Sequence, residues 1–283
     1  MQIQWYPGHM TKARRMMEEN IKLIDLVIEL IDARAPLSTR NPDIDTLAKG
    51  KFRLVLLNKS DLSDISDNAK WIEYFAKSGI KCVEINSKSG QGVKNLDKVI
   101  KEVCKDKIER DRKKGIINRP VKCMIAGIPN VGKSTFINSF SGKASTKTGN
   151  KPGVTKGKQW ISVGKSFDLL DTPGILWPKF DDENIGVKVA LIGSVNDEIL
   201  DKEELSLKLI EILKDKYPGI LSSKYNIDEN TDTLSVLKQF TEVRNLLLPG
   251  GVPDTLRGAG LLIDDFKNGK IGRITLDKLP CEE

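Results

Sequence analysis

Apolar residues in this chain fall in short runs separated by longer amphipathic stretches. Residues 26–32 are apolar except for Glu29 and the closing Asp32, which fits a strand buried on both faces. Residues 53–57, 81–85 and 121–126 repeat the pattern. Residues 160–163 and 167–170, joined by a turn at Gly164 and Lys165, predict two further strands. Helices are expected from near Thr11 and over 43–48, 66–77 and 93–104, followed by a basic joining segment over 105–119. Strands alternating with helices at this spacing predict a mostly parallel sheet with helices on both faces. Beyond Trp177 and Pro178 the period becomes helical. Leu205, Leu209 and Ile212 share a face, as do Val236, Phe240, Val243 and Leu247. Leu256, Ala259, Ile263 and Phe266 form a third stripe behind an N-cap at Asp254. The expected organisation is an α/β domain over 1–179 and a smaller all-helical domain over 180–283.

Composition narrows the class. No apolar run reaches the length of a spanning helix. Residues 1–7 lack a basic-then-apolar signal pattern. Cys82, Cys104, Cys123 and Cys281 show no paired spacing, which predicts reduced thiols in a cytoplasmic protein. The net charge of +7 hides an asymmetry. Residues 181–283 carry 13 basic and 20 acidic side chains, whereas residues 101–158 carry 15 basic and 4 acidic. The basic half suits a polyphosphate and, beyond it, a nucleic acid.

Four short motifs sit at predicted strand ends. Gly127-Ile128-Pro129-Asn130-Val131-Gly132-Lys133-Ser134 fits the phosphate-loop pattern, with a strand before it and a helix after it. The glycines bring backbone N–H groups onto a phosphate, and the helix N-terminus adds positive potential. Residues 130–135, with Val131, Gly132 and Thr135 among them, are the expected phosphate contacts. Lys133 supplies a charge for the β- and γ-phosphates, and the Ser134 hydroxyl can ligate Mg²⁺. Asn58-Lys59-Ser60-Asp61 matches the guanine-reading N-K-x-D motif. The Asp61 carboxylate can accept from the ring N–H and exocyclic amine of guanine, a donor pair adenine lacks. Lys59 would lie along the base. Asn86 and Ser87 fill the weaker loop that supports the base oxygen. Asp171-Thr172-Pro173-Gly174 matches D-x-x-G, with Asp171 expected at Mg²⁺ and the Gly174 N–H at the γ-phosphate.

The order of these motifs is rotated. Ras-like GTPases run phosphate loop, switch threonine, D-x-x-G, N-K-x-D; here the base-reading motifs come first. The pattern is that of a circularly permuted Ras-like P-loop GTPase domain, a rearrangement that close termini permit. The break opens after D-x-x-G, so the second switch is tethered to the helical part. With Trp5-Tyr6-Pro7-Gly8-His9-Met10 and the Asp32-Ala33-Arg34-Ala35-Pro36 turn, the whole chain resembles the YlqF-type permuted GTPases, the ribosome biogenesis GTPase A family. That resemblance implies hydrolysis of GTP to GDP at a late step of large ribosomal subunit assembly, contact with ribosomal RNA, and stimulation by the ribosomal particle. It implies a cytoplasmic protein, expected to be monomeric, with no membrane contact. Thr155, in the Pro-Gly-Val-Thr form found in translation-associated GTPases, is the candidate switch threonine at Mg²⁺, ahead of Thr146 and Thr148. Asn130 occupies a position that coordinates K⁺ in similar GTPases. After D-x-x-G stands Ile175, where Ras-like enzymes carry a water-orienting glutamine. His9, the single histidine, is the catalytic candidate by resemblance, with Lys133 and Thr155 beside it. The rival readings are a GTPase of another RNA-related pathway and a GTP-dependent RNA-binding scaffold with negligible turnover.

Overall fold

The computed structural model describes residues 8–117, 119–144, 146, 159–176, 182–196 and 200–280, with side chains from residue 11 onward. Among these residues six strands form one sheet: β1 Leu26–Asp32, β2 Phe52–Asn58, β3 Lys81–Glu84, β4 Val121–Ala126, β5 Gln159–Val163 and β6 Phe167–Asp171. Their order is β3-β2-β1-β4-β6-β5. All neighbours are parallel except the β5–β6 hairpin at the edge. Every residue of β1 is buried, as the apolar run predicts for a central strand.

The period of two divides the strands between two faces. Ile28, Leu30, Leu54 and Leu56 enter a core that includes Leu96 and Ile100 of helix α4 (Leu96–Val103) and Phe136 and Ile137 of α6 (Lys133–Ser141). Ile31, Val55 and Leu57 face the other way, onto Trp71 and Phe75 of α3 (Ile65–Lys77). Helices α1 (Gly8–Asn20) and α2 (Asp43–Leu47) flank β1 in sequence. Parallel register sets Asp32 opposite Asn58 and Ile125 opposite Asp171. The carboxyl ends of the strands therefore gather the polar residues at one edge, where ligands bind in open α/β sheets.

The joining segment differs from expectation. Lys105–Lys113 is a helix, α5, whose Lys107 is buried and pairs with Asp25 at 3.5 Å and Asp111 at 3.2 Å. Its charges hide the apolar period that would have marked it.

Among the described residues five α-helices follow β6: α7 (Glu183–Leu191), α8 (Lys202–Lys216), α9 (Ile220–Tyr225), α10 (Thr233–Val243) and α11 (Thr255–Lys267). Asp182, Asp201, Asp232 and Asp254 cap four of them, each carboxylate accepting first-turn N–H groups. Part of the acidic excess in this half is thus capping chemistry. Val243, Leu247 and Leu256, placed on apolar faces by their period, are 45–59% exposed. Helix α10 ends at Val243, so the stripe loses its period there. The apolar core of these helices is continuous with that of the sheet, and Ile175 and Leu176 belong to it.

Helices α10 and α11 cross closely at Gly258, where a Cβ would lie 2.0 Å from Thr241 Oγ1. Thr241 is buried and its hydroxyl donates to the Leu237 carbonyl, so it cannot swing away. Gly258→Ala is expected to destabilise the chain by about 1–3 kcal/mol through overpacking. Urea unfolding followed by circular dichroism checks this, and a parent-like midpoint contradicts it.

Candidate guanine-nucleotide site

The loop after β4 is shaped by two glycines. Gly127 has φ 147°, and a Cβ there would lie 2.4 Å from the Leu30 carbonyl oxygen. Gly132 has φ 99°, caps α6, and a Cβ there would lie 2.5 Å from Asn58 Nδ2. Only glycine allows both the backbone angle and the approach. Because α6 starts at Lys133, the first-turn N–H groups of Lys133, Ser134 and Thr135 open toward the loop. Lys133 Nζ donates to the carbonyls of Gly127 (3.0 Å) and Ile128 (2.9 Å). Burial lowers the Lys133 pKa to about 8, against the opposing pull of Asp171. Val131 is fully buried beneath the loop.

Asn58 links this loop to the base side. Its Nδ2 donates to the Val131 carbonyl at 2.7 Å, and its Oδ1 accepts from the Ser87 N–H at 3.0 Å. Lys59 has φ 59° and donates to the Asn130 carbonyl at 2.9 Å. Asp61 is exposed. Asn86 accepts from the N–H groups of Lys88 and Ser89, at 2.9 and 3.0 Å, and so folds its turn. The buried Ser87 Oγ has no hydrogen-bond partner among the described residues.

Asp171 ends β6 behind the phosphate loop. It is buried, and burial raises its pKa to about 6 despite Lys133. Its Oδ1 has no hydrogen-bond partner among the described residues. A buried carboxylate oxygen with no hydrogen-bond partner fits a hard divalent cation that also takes phosphate oxygens, and the Ser134 hydroxyl in the first turn of α6 has the chemistry of a second ligand. Gly174 lies against the loop: a Cβ there would be 2.7 Å from Pro129 N and 2.9 Å from Lys133 Nζ. Ile175 is buried, with its N–H on the Gly127 carbonyl at 3.3 Å and its carbonyl held by Asn41 at 3.1 Å. Thr146 donates to the Ser134 carbonyl at 3.1 Å. Thr155, Thr148 and the His9 side chain lie outside the described residues; His9 itself falls in the first turn of α1.

A family described as 50S ribosome-binding GTPase matches residues 122–241. The match begins at the phosphate-loop strand and leaves out the base-reading loops, as the permuted order requires. Ribosome biogenesis GTPase A of Bacillus cereus is 44% identical over 278 residues, covering 98% of this chain and 94% of that protein. Its namesake from Thermotoga maritima is 34% identical over 98% of this chain and 94% of that protein. The crystal structure of GNP-bound YlqF from T. maritima superposes with a TM-score of 0.67 at 29% identity, covering 94% of this chain and 98% of that one. The chain belongs to the ribosome biogenesis GTPase A family. It is a GTPase with a permuted P-loop domain.

The structure adds residues that the motifs did not mark. Asp32 is fully buried and binds Arg34 through Nε at 2.9 Å and Nη2 at 2.7 Å, and Lys59 at 2.8 Å. Burial works to raise the Asp32 carboxyl, but the two cations overcome it and hold it well below the usual carboxylate range. Arg34, also buried, donates through Nη1 to the Lys267 carbonyl at the end of α11 (3.0 Å) and stacks on Phe266. A second clasp joins the phosphate loop to the turn after α7. Ser194 Oγ donates to the Pro129 carbonyl at 2.7 Å, and Asn130 Nδ2 donates to the Gly193 carbonyl at 2.6 Å. In sequence Asp32 and Arg34 mark a turn shared with the family; their partners lie too far along the chain for spacing to reveal.

Removing Arg34 takes two charge-assisted hydrogen bonds from the buried Asp32, whose charge Lys59 still answers, and hydrogen bonds to charged groups contribute about 1.5–3 kcal/mol. Arg34→Ala is therefore expected to lower unfolding stability by that amount. Chemical denaturation checks it, and a loss under about 1 kcal/mol would contradict a buried pair of this kind.

Proposed function

We propose that this GTPase acts as an assembly factor at a late step of large ribosomal subunit maturation, as a cytoplasmic monomer that contacts ribosomal RNA. The observation that carries the reading is near-full-length similarity to proteins named ribosome biogenesis GTPase A, together with a family match described as 50S ribosome-binding. The basic half supports the RNA contact: α5 ends in Arg110, Arg112 and Lys113. No described helix is long and apolar enough to cross a membrane.

In this reading Asp61 accepts from guanine, Lys59 flanks the ring, and the loop of Asn86 and Ser87 supports the base oxygen. Residues 130–135 cradle the phosphates, and Lys133 turns from its loop carbonyls to the β- and γ-phosphates. Ser134, Asp171 and Thr155 hold Mg²⁺, which when bound neutralises charge between the β- and γ-phosphates. Gly174 reports the γ-phosphate through its N–H. Asn130 would offer its amide oxygen, the ligating atom of that side chain, to K⁺, while its amide nitrogen donates to the Gly193 carbonyl.

Water activation falls to His9. Ile175 is buried and carries no polar side-chain atom, so it cannot orient an attacking water. An imidazole can orient water or exchange a proton near neutral pH. In this reading docking on the ribosomal particle orders His9 over the nucleotide.

Single-turnover GTP hydrolysis with precursor and with mature large subunits tests this. Strong stimulation by one of the two particles is expected. His9→Ala is expected to keep GTP affinity while the stimulated rate falls by about 10²–10⁴, the range for a positioned acid–base group. Absence of stimulation by either particle overturns the reading, and a parent-like stimulated rate in His9→Ala removes His9 from the chemistry.

A further inference from the structure

The segment after α11 has neither helix nor strand, yet residues 273–275 bond to successive peptide groups of the base-reading loop. Arg273 Nη2 donates to the Ser60 carbonyl at 2.9 Å, and Nε donates to the Asp61 carbonyl at 3.1 Å. The Ile274 N–H donates to the Leu62 carbonyl at 3.0 Å. Thr275 Oγ1 accepts from the Asp64 N–H at 3.2 Å. Gly269, which starts the segment with φ 70°, packs so closely on Leu62 that a Cβ would lie 2.8 Å from Leu62 Cδ2.

The far end of the segment is anchored as firmly. The Leu276 N–H donates to the Arg34 carbonyl at 2.6 Å. Asp277 is buried; it accepts from the Leu37 and Ser38 N–H groups at 2.8 Å each and pairs with Lys188 at 2.9 Å. Lys216 of α8 donates to the carbonyls of Thr275 and Asp277 at 2.7 and 2.6 Å. The segment is a fixed strap rather than a loose end.

The loop it grips needs such a support. Lys59 sits at φ 59°, in the left-handed region where a side chain is strained, and such geometry persists only where surroundings enforce it. From the sheet side the Ser60 N–H donates to the Ile85 carbonyl at 3.2 Å. The Asp61 carbonyl is gripped by Arg273 while its side chain is exposed. A charged donor on a carbonyl makes one of the stronger neutral-to-ion hydrogen bonds.

We propose that Arg273 is a positioning residue for guanine recognition: by holding the carbonyls of Ser60 and Asp61 it fixes the direction in which the Asp61 carboxylate meets the base. The inference rests on the reading of Asp61 as the guanine acceptor. Hypoxanthine keeps the ring N–H of guanine but lacks the exocyclic amine. A fixed carboxylate rewards the second donor; a wandering one rewards it less. Discrimination between guanosine and inosine nucleotides therefore reports the loop's order.

The test is a titration of full-length parent, Arg273→Ala and Arg273→Lys proteins with GDP and IDP, with Asp61→Asn titrated against GDP and XDP. Arg273→Ala is expected to bind GDP about tenfold more weakly, within the usual 5–150-fold range of coupling between sites. Its GDP-over-IDP preference is expected to shrink several-fold. Arg273→Lys, which keeps a donor for one carbonyl, is expected to fall between. Loss of stability alone would weaken both nucleotides equally per folded molecule and leave the ratio at the parent value. That unchanged ratio, alongside an Asp61→Asn protein that switches to XDP, overturns the role of Arg273 and leaves the base reading intact. An Asp61→Asn protein that still prefers GDP overturns the base reading, and the inference with it.

Discussion

A carboxylate with no exposure to water survives in the interior only when every charge around it is answered. Asp32 is such a group. Its two oxygens are shared by the Arg34 guanidinium and the Lys59 ammonium. Lys59 also reaches the Asn130 carbonyl in the phosphate loop, and Arg34 also reaches the last residue of α11. One buried charge therefore sits between the base-reading loop, the phosphate loop and the helical half. Lys59, with its left-handed backbone, joins this charge to the Asn130 carbonyl of the phosphate loop.

That arrangement makes the permutation more than a change of order. In sequence D-x-x-G is followed by α7, and the turn after α7 comes back to bond Pro129 and Asn130. The strap after α11 returns to the base-reading loop and to Arg34. After β6 the chain leaves these loops twice and returns to them twice. Any ligand that favours one arrangement of the loops also favours one arrangement of the helices, and the linkage is reciprocal. A ribosomal particle that grips the helical half would act on the loops through these same bonds.

The strands were legible because each is a short apolar run, and their ends carried the short motifs. Helix α5 was hidden by its charges, since a helix with one apolar side chain facing inward shows no stripe. Val243 and Leu247 share a period with Val236 and Phe240, but the helix that would have carried it stops at Val243, and Leu256 stays exposed in the first turn of α11. Asp32 and Arg34 read as a turn because their importance lies in partners 27 and 233 residues away. The strap was illegible for a related reason: extended backbone bonded to a loop has no period, and Arg273 looks like any surface arginine until the carbonyls it meets are known.

Hydrogen–deuterium exchange of parent and Asp32→Asn proteins measures most directly whether one buried charge organises both halves. Asparagine keeps the shape of the side chain and removes its charge. Faster exchange is predicted in the phosphate-loop segment 127–133 and, together with it, in segment 267–276, with the sheet strands β2 and β3 unchanged. Exchange that rises in only one of those two segments, or in neither, would contradict the account.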